Sequence, residues 1–277
     1  MNGKNAGVVL ITGASSGIGE ATAMRLKAAG HVVYAAARRV ERMAGLAEKG
    51  IHVLRMDVTD EASMVAVVQQ ILAEQGRIDA LVNNAGYGSF GALEDTPLSE
   101  ARYQFEVNVF GLARLTQLVL PAMRQQRWGR IVNVSSIAGK IYEPLGGWYH
   151  ATKHALEGLS DSLRMEVEGF GIAVVIIEPG GIATEWGGIA SENLMKVSGN
   201  TAYRDQAQRG ANLLGMGEKQ ASPPEVIAKI IEKGITARRP KTRYHAGAAS
   251  STSLFLRWLL PDRCFDRMMR FVLRNAK

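Results

Sequence analysis

Cysteine and long apolar segments are what the sequence has least of. The chain of 277 residues contains one cysteine, Cys264, which excludes an intrachain disulfide and a zinc site built from several thiolates. Residues 1–7 are polar and lack the apolar core of a signal peptide, and no apolar run is long enough to span a bilayer. We therefore expect a cytoplasmic protein that does not cross a membrane.

Acidic residues are scarce towards the carboxyl end. Residues 225–277 contain 12 Lys and Arg against 4 Asp and Glu, whereas the rest of the chain is nearly neutral. Such a basic segment could attract phosphate groups, anionic lipid or nucleic acid, or it could simply be a solvated surface. Because no aromatic stacking motif or reading helix accompanies it, nucleic-acid binding is not expected.

Nothing in the sequence marks a domain boundary. Hydrophobic residues make up 47% of the chain, which is enough for one substantial core, and we find no internal repeat, low-complexity segment or linker. We predict a single domain over residues 1–277. Within it, residues 185–222 are rich in Gly, Ser and Asn and predict a substrate loop with short helices, and residues 250–277 predict a helical extension.

Predicted strands and helices alternate along the chain. Apolar runs predict strands at 8–11, 31–37, 51–56, 78–82, 130–134, 172–177 and 242–246. Helical spacing predicts helices at 20–29, 61–74, 96–121, 149–169 and 223–233. This alternation indicates a parallel sheet with helices on both faces and ligands bound at the carboxyl ends of the strands.

Glycines follow the first predicted strand at the point where a helix begins. Glycine lets the backbone approach a ligand closely, and the helix amino terminus offers free N–H groups to phosphate. The turn should therefore hold a pyrophosphate through Gly13, Ser15, Ser16, Gly17, Ile18 and Gly19.

Two arginines follow the second predicted strand, where a fold selective for NAD places an acidic residue. Ala37 leaves room at this point, and Arg38 with Arg39 offers guanidinium groups to a 2′-phosphate. The predicted cofactor is therefore NADP(H).

Tyr149 and Lys153 are four residues apart in a predicted helix, so they share one face. A free tyrosine has a pKa of about 10 and exchanges protons poorly near neutral pH unless a neighbouring cation stabilises its phenolate. This pair is a candidate for proton transfer. Asn108 lies in an apolar stretch and is either a satisfied core amide or part of the site.

These motifs occur together with Asn83-Asn84-Ala85-Gly86 and with Ser136, thirteen residues before Tyr149. In this order and spacing, over roughly residues 7–247, the chain resembles the short-chain dehydrogenase/reductase family. The resemblance implies an α/β fold, a Rossmann-type doubly wound parallel sheet of about seven strands. It also implies an NADP(H)-dependent enzyme interconverting an alcohol and a carbonyl, assembled as a homodimer or homotetramer through its two long central helices.

The resemblance also implies roles for individual residues. Tyr149 would be the general acid or base, Lys153 would lower its pKa and hold the nicotinamide ribose, Ser136 would bind the substrate oxygen, and Asn108 would hold a water. Further cofactor contacts are implied in three groups: Asp57 and Val58 at the adenine, Asn84, Ala85 and Gly86 at the adenine ribose, and Pro179, Gly180, Ile182 and Thr184 at the nicotinamide amide.

The carboxyl-terminal extension gives an indication of the substrate class. A basic, apolar-rich extension is similar to that of family members acting on steroids, retinoids and other lipophilic alcohols, so a lipophilic substrate is expected. A small carbonyl or an acyl thioester is the alternative substrate. A non-catalytic NADP(H)-binding regulator is the alternative of another class, although the complete Asn, Ser, Tyr and Lys set favours an enzyme. No metal is expected at His150 and His154, because no third ligand accompanies this helical pair.

The last predicted helix has two distinct faces. A break is expected at Pro261, with Asp262 as the helix cap. One face is predicted to carry Cys264, Phe265, Met268, Met269 and Val272, and arginines dominate the other. Such a helix could cover the substrate cleft, rest on a membrane surface as a peripheral contact, or pack on its own subunit.

Overall fold

The computed structural model describes residues 7–219 and 221–276, with the side chains of 216–219 left aside. The predicted bounds at residues 1 and 277, and residue 220 of the predicted substrate loop, lie outside the described residues. The strands are β1 (Val8–Thr12), β2 (Val32–Ala37), β3 (His52–Arg55), β4 (Ala80–Asn83), β5 (Gly129–Val134), β6 (Ile172–Pro179) and β7 (Arg243–Ala246).

Helices connect these strands and extend beyond the last one. They are α1 (Gly17–Ala28), α2 (Ala44–Ala47), α3 (Glu61–Gln75), α4 (Leu98–Phe105), α5 (Gly111–Gln125), α6 (Gly147–Val167), α7 (Trp186–Ser198), α8 (Arg204–Lys219), α9 (Glu225–Thr236), α10 (Ser250–Leu259) and α11 (Asp262–Asn275). A π-helical turn, Glu106–Phe110, joins α4 to α5.

The seven strands form one parallel sheet in the order β3-β2-β1-β4-β5-β6-β7. The predicted fold class is therefore confirmed. The chain order reverses between β1 and β4, and a doubly wound sheet opens a ligand crevice at such a reversal. The glycine turn that follows β1 thus stands beside Asn84 at the end of β4.

The core consists of two apolar layers, one on each face of the sheet. Alternate residues of a strand point to opposite faces, so Ile11 joins the layer under α1 and α9, and Leu10 joins the layer under α3 and α5. Full burial of an aliphatic side chain contributes about 1.5–3 kcal/mol. Both layers hold the carboxyl ends of the strands in place, and the candidate site residues lie at those ends.

The helix predicted at 96–121 is interrupted and also longer than expected. Its centre is the π turn that contains Asn108, and such turns often accompany functional sites. Pro121 lies within α5, which continues to Gln125. The buried side of α5 includes Val119 and Met123 on either side of Pro121, so packing offsets the hydrogen bond that proline cannot donate.

The described residues of the predicted substrate loop form two regular helices, α7 and α8, rather than a loop with short ones. α7 and α8 pack against each other, and their buried positions include small residues such as Ala190, Ala207 and Ala211. Small side chains let helices approach closely but give a weak apolar periodicity. The sequence pattern therefore understated the order of this segment.

The carboxyl-terminal helices lie on the body of their own subunit. α11 contacts α8, and its buried Phe265 packs edge-on against Tyr142, whose hydroxyl donates to Asp266 at 3.0 Å. Cys264 and Val272 are exposed, so the predicted apolar face is wrong at both positions. Met269 of that face does point inwards, and Leu273, which the prediction did not include, lies beside it.

The predicted cap of α11 is also corrected. Pro261 occupies the cap position, and Asp262 is the first helical residue, where it accepts a hydrogen bond from Arg257 at 2.8 Å. Along the part of the chain that the structure describes, no helix combines the length and apolar character needed to cross a bilayer.

Candidate active site

A large cleft opens at the carboxyl ends of β1, β4, β5 and β6. Its empty space, including the part open to solvent, is about 1570 Å³. Most of the residues proposed from the sequence line it: Gly13, Ser16, Ile18, Arg38, Arg39, Asn84, Ala85, Gly86, Ser136, Tyr149, Lys153, Pro179, Gly180, Ile182 and Thr184. The cleft therefore brings the candidates for cofactor binding and those for proton transfer to one place.

The remaining candidates stand outside the wall of the cleft: Ser15, Gly17, Gly19, Asp57, Val58 and Asn108. The Asp57 carboxylate accepts hydrogen bonds from the backbone and hydroxyl of Thr59, at 3.0 and 2.9 Å. The carbonyl of Val58 lies against Gly111, where a Cβ atom would approach it to 2.1 Å. In this structure both residues shape the loop after β3.

The glycine turn needs glycine for two different reasons. Gly13 and Gly17 adopt φ angles of +65° and +57°, which disfavour residues with a side chain. Gly19 has no such angle, but a Cβ atom there would lie 2.4 Å from the Gly13 carbonyl oxygen. Gly19 therefore lets the first turn of α1 lie directly against the backbone that faces the cleft.

Asn84 connects the end of β4 to this turn. Its side-chain amide donates to the carbonyls of Thr12 and Gly13 at 2.9 and 3.1 Å, and the Thr12 hydroxyl accepts from the backbone N–H groups of Asn84 and Ala85 at 3.0 and 2.9 Å. Asn84 thus shapes the turn with its side chain and faces the cleft at the same time.

The arginines at the end of β2 differ in their contacts. Arg38 donates to the Tyr103 hydroxyl at 3.1 Å, and no carboxylate contacts it among the described residues. Arg39 lies 4.0 Å from Glu185, which Arg42 binds with two hydrogen bonds of 3.0 and 2.6 Å. Both guanidinium groups therefore keep free donors at this edge of the cleft, and Arg38 is the one that no carboxylate contacts among the described residues.

Tyr149 is almost completely buried, and its ring lies among aromatic neighbours. The ring centroids of Phe90 and Trp186 lie 5.6 and 5.1 Å from that of Tyr149. Burial raises the pKa of Tyr149 to about 12, and its hydrogen bond with the Ser136 hydroxyl opposes that rise. The phenol is therefore held in its protonated form.

Lys153 lies one turn further along α6 and is also buried. Its ammonium donates to the Val134 carbonyl at 3.0 Å and lies 5.9 Å from the centroid of the Tyr149 ring. Burial lowers the pKa of Lys153 to about 8, whereas the nearby Glu157 carboxylate raises it. Glu157 in turn contacts Lys140 at 3.0 Å and Arg243 at 2.9 Å.

The two adjacent serines after β5 differ in their partners. Ser136 hydrogen-bonds with Tyr149, and its oxygen also accepts from the backbone N–H of Ala138 at 3.1 Å. The hydroxyl of Ser135 is buried and has no partner among the described residues. The geometry therefore brings Ser136, the serine proposed from the sequence, together with the phenol.

The side chain of Asn108 is fully engaged with protein groups. Its amide nitrogen donates to the Tyr87 carbonyl at 2.9 Å and to the Thr152 hydroxyl at 3.1 Å, and its oxygen accepts from the Tyr87 backbone at 3.1 Å. Asn108 thus fixes the chain beside Gly86 and ties it to α6. The water that the resemblance implies stays a prediction.

His150 holds together the chain before α6, a role that its position in the sequence did not reveal. Its Nδ1 lies 3.0 Å from the Ala138 carbonyl, and its Nε2 accepts from the backbone N–H of Glu143 at 3.1 Å. Nδ1 must therefore carry the proton, and burial lowers the pKa of the imidazole. The described residues include no cluster of three or more His, Cys, Asp or Glu suited to a metal ion.

Sequence reasoning missed the apolar side of the cleft. Trp186, Ile189, Leu213 and Leu214 line it from α7 and α8, opposite the catalytic candidates. Phe90 packs on both Tyr149 and Trp186. These residues are scattered in the sequence, and only the folding of α7 and α8 over the strand ends brings them together.

The residues present fit a nicotinamide dinucleotide. At Gly13 a Cβ atom would lie 2.8 Å from Ala85 and would fill the space that the turn leaves open. Arg38 offers unpaired donors at one end of the same cleft, and Tyr149 and Lys153 stand at the other. The spacing suits a long ligand that carries phosphate near the glycine turn.

Comparisons with known proteins establish the family. The family model described as short chain dehydrogenase matches residues 7–194. The chain therefore belongs to the short-chain dehydrogenase family, whose members are oxidoreductases that bind a nicotinamide cofactor.

Relatives match over nearly the whole chain. The chain is 37% identical to a 3-ketodihydrosphingosine reductase from Bacteroides thetaiotaomicron, over 96% of each protein. It is 34% identical to an NADPH-dependent 3-dehydrocapnine reductase from Ornithobacterium rhinotracheale, over 94% of each. The crystal structure of a short-chain dehydrogenase from Streptomyces avermitilis is similar with a TM-score of 0.80 and 33% identity, covering 97% of this chain and 96% of the other.

Proposed function

We propose that the protein is an NADP(H)-dependent oxidoreductase that interconverts an alcohol and a carbonyl on a lipophilic, lipid-like substrate. The observation that carries the proposal is the meeting of Ser136, Tyr149 and Lys153 at one end of a cleft whose other end is the glycine turn. Hydride exchange with the substrate carbon is the chemistry that the nicotinamide supplies when it is bound.

The side chains of this protein handle the proton. Tyr149, held protonated by its burial, donates its hydroxyl proton to the substrate oxygen during reduction and accepts it back during oxidation. Ser136 donates a hydrogen bond to the same oxygen and stabilises the charge that develops there. Lys153, anchored on the Val134 carbonyl, places a positive charge beneath the phenol and holds the cofactor ribose.

The choice of NADP(H) rests on the end of β2. Arg38 has free donors there, and Glu185, the acidic residue that lines the same cleft, is paired with Arg42. The named cofactor of the 3-dehydrocapnine reductase supports the same choice. We place the adenine beside the loop of Asp57 and Val58 and the nicotinamide amide beside residues 179–184.

The proposal of a lipophilic substrate is based on the apolar wall that α7 and α8 contribute to the cleft. Trp186, Ile189, Leu213 and Leu214 leave few polar partners on that side of the cleft. The relative that reduces 3-ketodihydrosphingosine supports a keto group as the reacting centre. Small carbonyls and acyl thioesters remain the competing substrates.

Replacing Tyr149 with phenylalanine tests the reaction. The ring would keep its contacts with Phe90 and Trp186, so we expect NADPH binding to persist and turnover of a panel of aldehydes, ketones and acyl thioesters to be lost. Tyr34→Phe is the matched control, because Tyr34 is buried in the apolar layer under α3 and α5, where its hydroxyl donates to Glu74. Normal turnover by Tyr149→Phe would refute the proton donor, and NADPH binding without turnover by the wild type would support the regulator.

We also propose a homodimer or homotetramer formed through the central helices. Phe110 and Leu159 are 55% and 38% exposed on the π turn and on α6, although both are large apolar side chains. Light scattering should report a multiple of the chain mass, and Leu159→Asp should reduce it. A wild-type monomer would refute this assembly.

A peripheral membrane contact is proposed for α10, in an otherwise cytoplasmic protein. Phe255, Trp258 and Leu259 share one face of this helix and are 55%, 80% and 53% exposed. Co-sedimentation with anionic vesicles should fall when Trp258 is replaced by serine. Equal recovery of the wild type with and without vesicles would contradict the contact.

A further inference from the structure

One acidic side chain stands in a cleft that is otherwise suited to an anionic ligand. Glu185 directly follows the segment that we place beside the nicotinamide amide, and it lines the cleft together with Arg38 and Arg39. Within the described part of the chain, it is the one acidic residue among those that line the cleft. A dinucleotide carries negative phosphate groups, so an uncompensated carboxylate at this place would oppose its binding.

The chain around Glu185 lies directly against the glycine turn. A Cβ atom on Gly17 would lie 2.8 Å from Thr184, the residue before Glu185. Hydrogen bonds from Arg42 hold the pKa of Glu185 below its usual range, so the carboxylate is ionised at neutral pH. A full negative charge therefore stands close to the turn that is proposed to hold the phosphates.

Arg42 compensates this charge from outside the cleft. Its two terminal nitrogens donate to the two carboxylate oxygens of Glu185 at 3.0 and 2.6 Å, the bidentate geometry in which arginine and a carboxylate bind most strongly. Arg42 lies in the helical turn Val40–Met43 that follows β2, and it is not among the residues that line the cleft in the described part of the chain. The contact joins this turn to the start of α7.

Arg39 is the second cation that contacts Glu185. Its guanidinium lies 4.0 Å from a carboxylate oxygen of Glu185, which is too far for a hydrogen bond. Because Arg42 occupies both oxygens of the carboxylate, Arg39 keeps its donors for another anion. Without Arg42, Glu185 would pair with Arg39 and withdraw that guanidinium from the cofactor.

We propose that Arg42 is a positioning residue for the cofactor, which neutralises Glu185 and thereby keeps Arg39 available to the 2′-phosphate of NADP(H). The inference rests on the proposed function and adds a determinant of cofactor selectivity that lies outside the cleft. A phosphate monoester carries about 1.5 to 2 negative charges at pH 7. An unpaired Glu185 should therefore oppose NADPH more strongly than NADH, which lacks this group.

A double-mutant cycle tests the assignment by fluorescence titration with NADPH and with NADH. It comprises the wild type, Arg42→Gln, Glu185→Gln and the variant with both substitutions. Arg25→Gln is the matched control, because Arg25 is a similarly exposed arginine that pairs with Glu232 at 2.6 Å and is not among the residues that line the cleft. Thermal unfolding establishes that each variant is folded.

We expect Arg42→Gln to raise the Kd for NADPH roughly 3- to 10-fold and the Kd for NADH less than about twofold. Glu185→Gln should bind NADPH at least as tightly as the wild type. The double variant should regain the wild-type Kd for NADPH within about twofold, because the charge that Arg42 neutralises is then absent. Arg25→Gln should leave both Kd values unchanged.

Three results would overturn the inference and leave the proposed function standing. They are an unchanged Kd for NADPH in Arg42→Gln, an equal loss of affinity for NADPH and NADH, and a loss that persists in the double variant. A wild type that binds NADPH and NADH equally would instead overturn the NADP(H) selectivity of the proposed function and the inference with it.

Discussion

A single methyl group at Gly19 should weaken cofactor binding at least about tenfold. Gly19 lies in the first turn of α1, and a Cβ atom there would lie 2.4 Å from the Gly13 carbonyl, 2.7 Å from the Asn84 amide nitrogen and 2.9 Å from Ala14. Real Cβ atoms essentially never approach other atoms to less than 3.0 Å. In Gly19→Ala the Gly13 carbonyl must therefore retreat by at least 0.6 Å, the difference between these two distances.

A retreat of this size disturbs the phosphate contacts of the turn. Hydrogen bonds from backbone N–H groups operate over about 2.7–3.2 Å, so a displacement of 0.6 Å removes or weakens at least one of them. A hydrogen bond to a charged group is worth about 1.5–3 kcal/mol, or roughly one to two decades in Kd. Since alanine is the better helix former, helix propensity does not account for the loss.

Fluorescence titration with NADPH measures the effect, and Gly45→Ala is the matched control. Gly45 lies in the short helix α2 with nothing within 4 Å of an added Cβ atom, so alanine should leave NADPH binding unchanged there. Gly19→Ala should raise the Kd for NADPH at least about tenfold. A folded Gly19→Ala protein with the wild-type Kd would show that this turn does not hold the phosphates.

Three further predictions follow from charged groups at the site. Arg38→Ser should raise the Kd for NADPH by about one to two decades and leave that for NADH unchanged, and equal affinity of the wild type for both would contradict NADP(H) selectivity. Glu157→Gln should lower the pKa of Lys153 further and move the alkaline limb of the kcat/KM profile to lower pH, whereas Asp161→Asn, in the same ion cluster, should not. Between pH 4.5 and about 7, folded Glu143 keeps a proton that the unfolded chain has lost, so the free energy of unfolding should fall as pH rises, by up to about 3 kcal/mol. Denaturant titrations should show a smaller fall for Glu143→Gln, and an equal fall would refute the assignment.

The sheet could be predicted because its sequence signals are local and agree with one another. Apolar runs such as 172–177 are bounded by turn residues, and the glycine turn marks the change from strand to helix. The cleft followed from topology, since the carboxyl ends of parallel strands share one edge. Element ends moved by a few residues, as in β6, which extends to Pro179.

The substrate side could not be predicted because its residues are joined only by tertiary packing. Alanines fill the interface of α7 and α8, so apolar periodicity is weak there. That Leu273 points inwards and Cys264 and Val272 do not depends on how α11 turns towards α8, which composition does not determine. Glu143 looks like a surface loop residue in the sequence, and only the fold shows that it lines a cavity where burial raises its pKa.

The catalytic pair shows how burial competes with charge at close range. Spacing alone suggested that Lys153 lowers the pKa of Tyr149, yet burial raises the pKa of the phenol to about 12 and lowers that of the ammonium to about 8. Each group loses hydration in its charged form, and the ammonium is directed to the Val134 carbonyl. Glu157 on one side and Glu143 on the other act on the two groups separately. The pKa of Tyr149 is therefore set by burial and by two opposing neighbours, the Glu143 charge that raises it and the Ser136 hydrogen bond that lowers it.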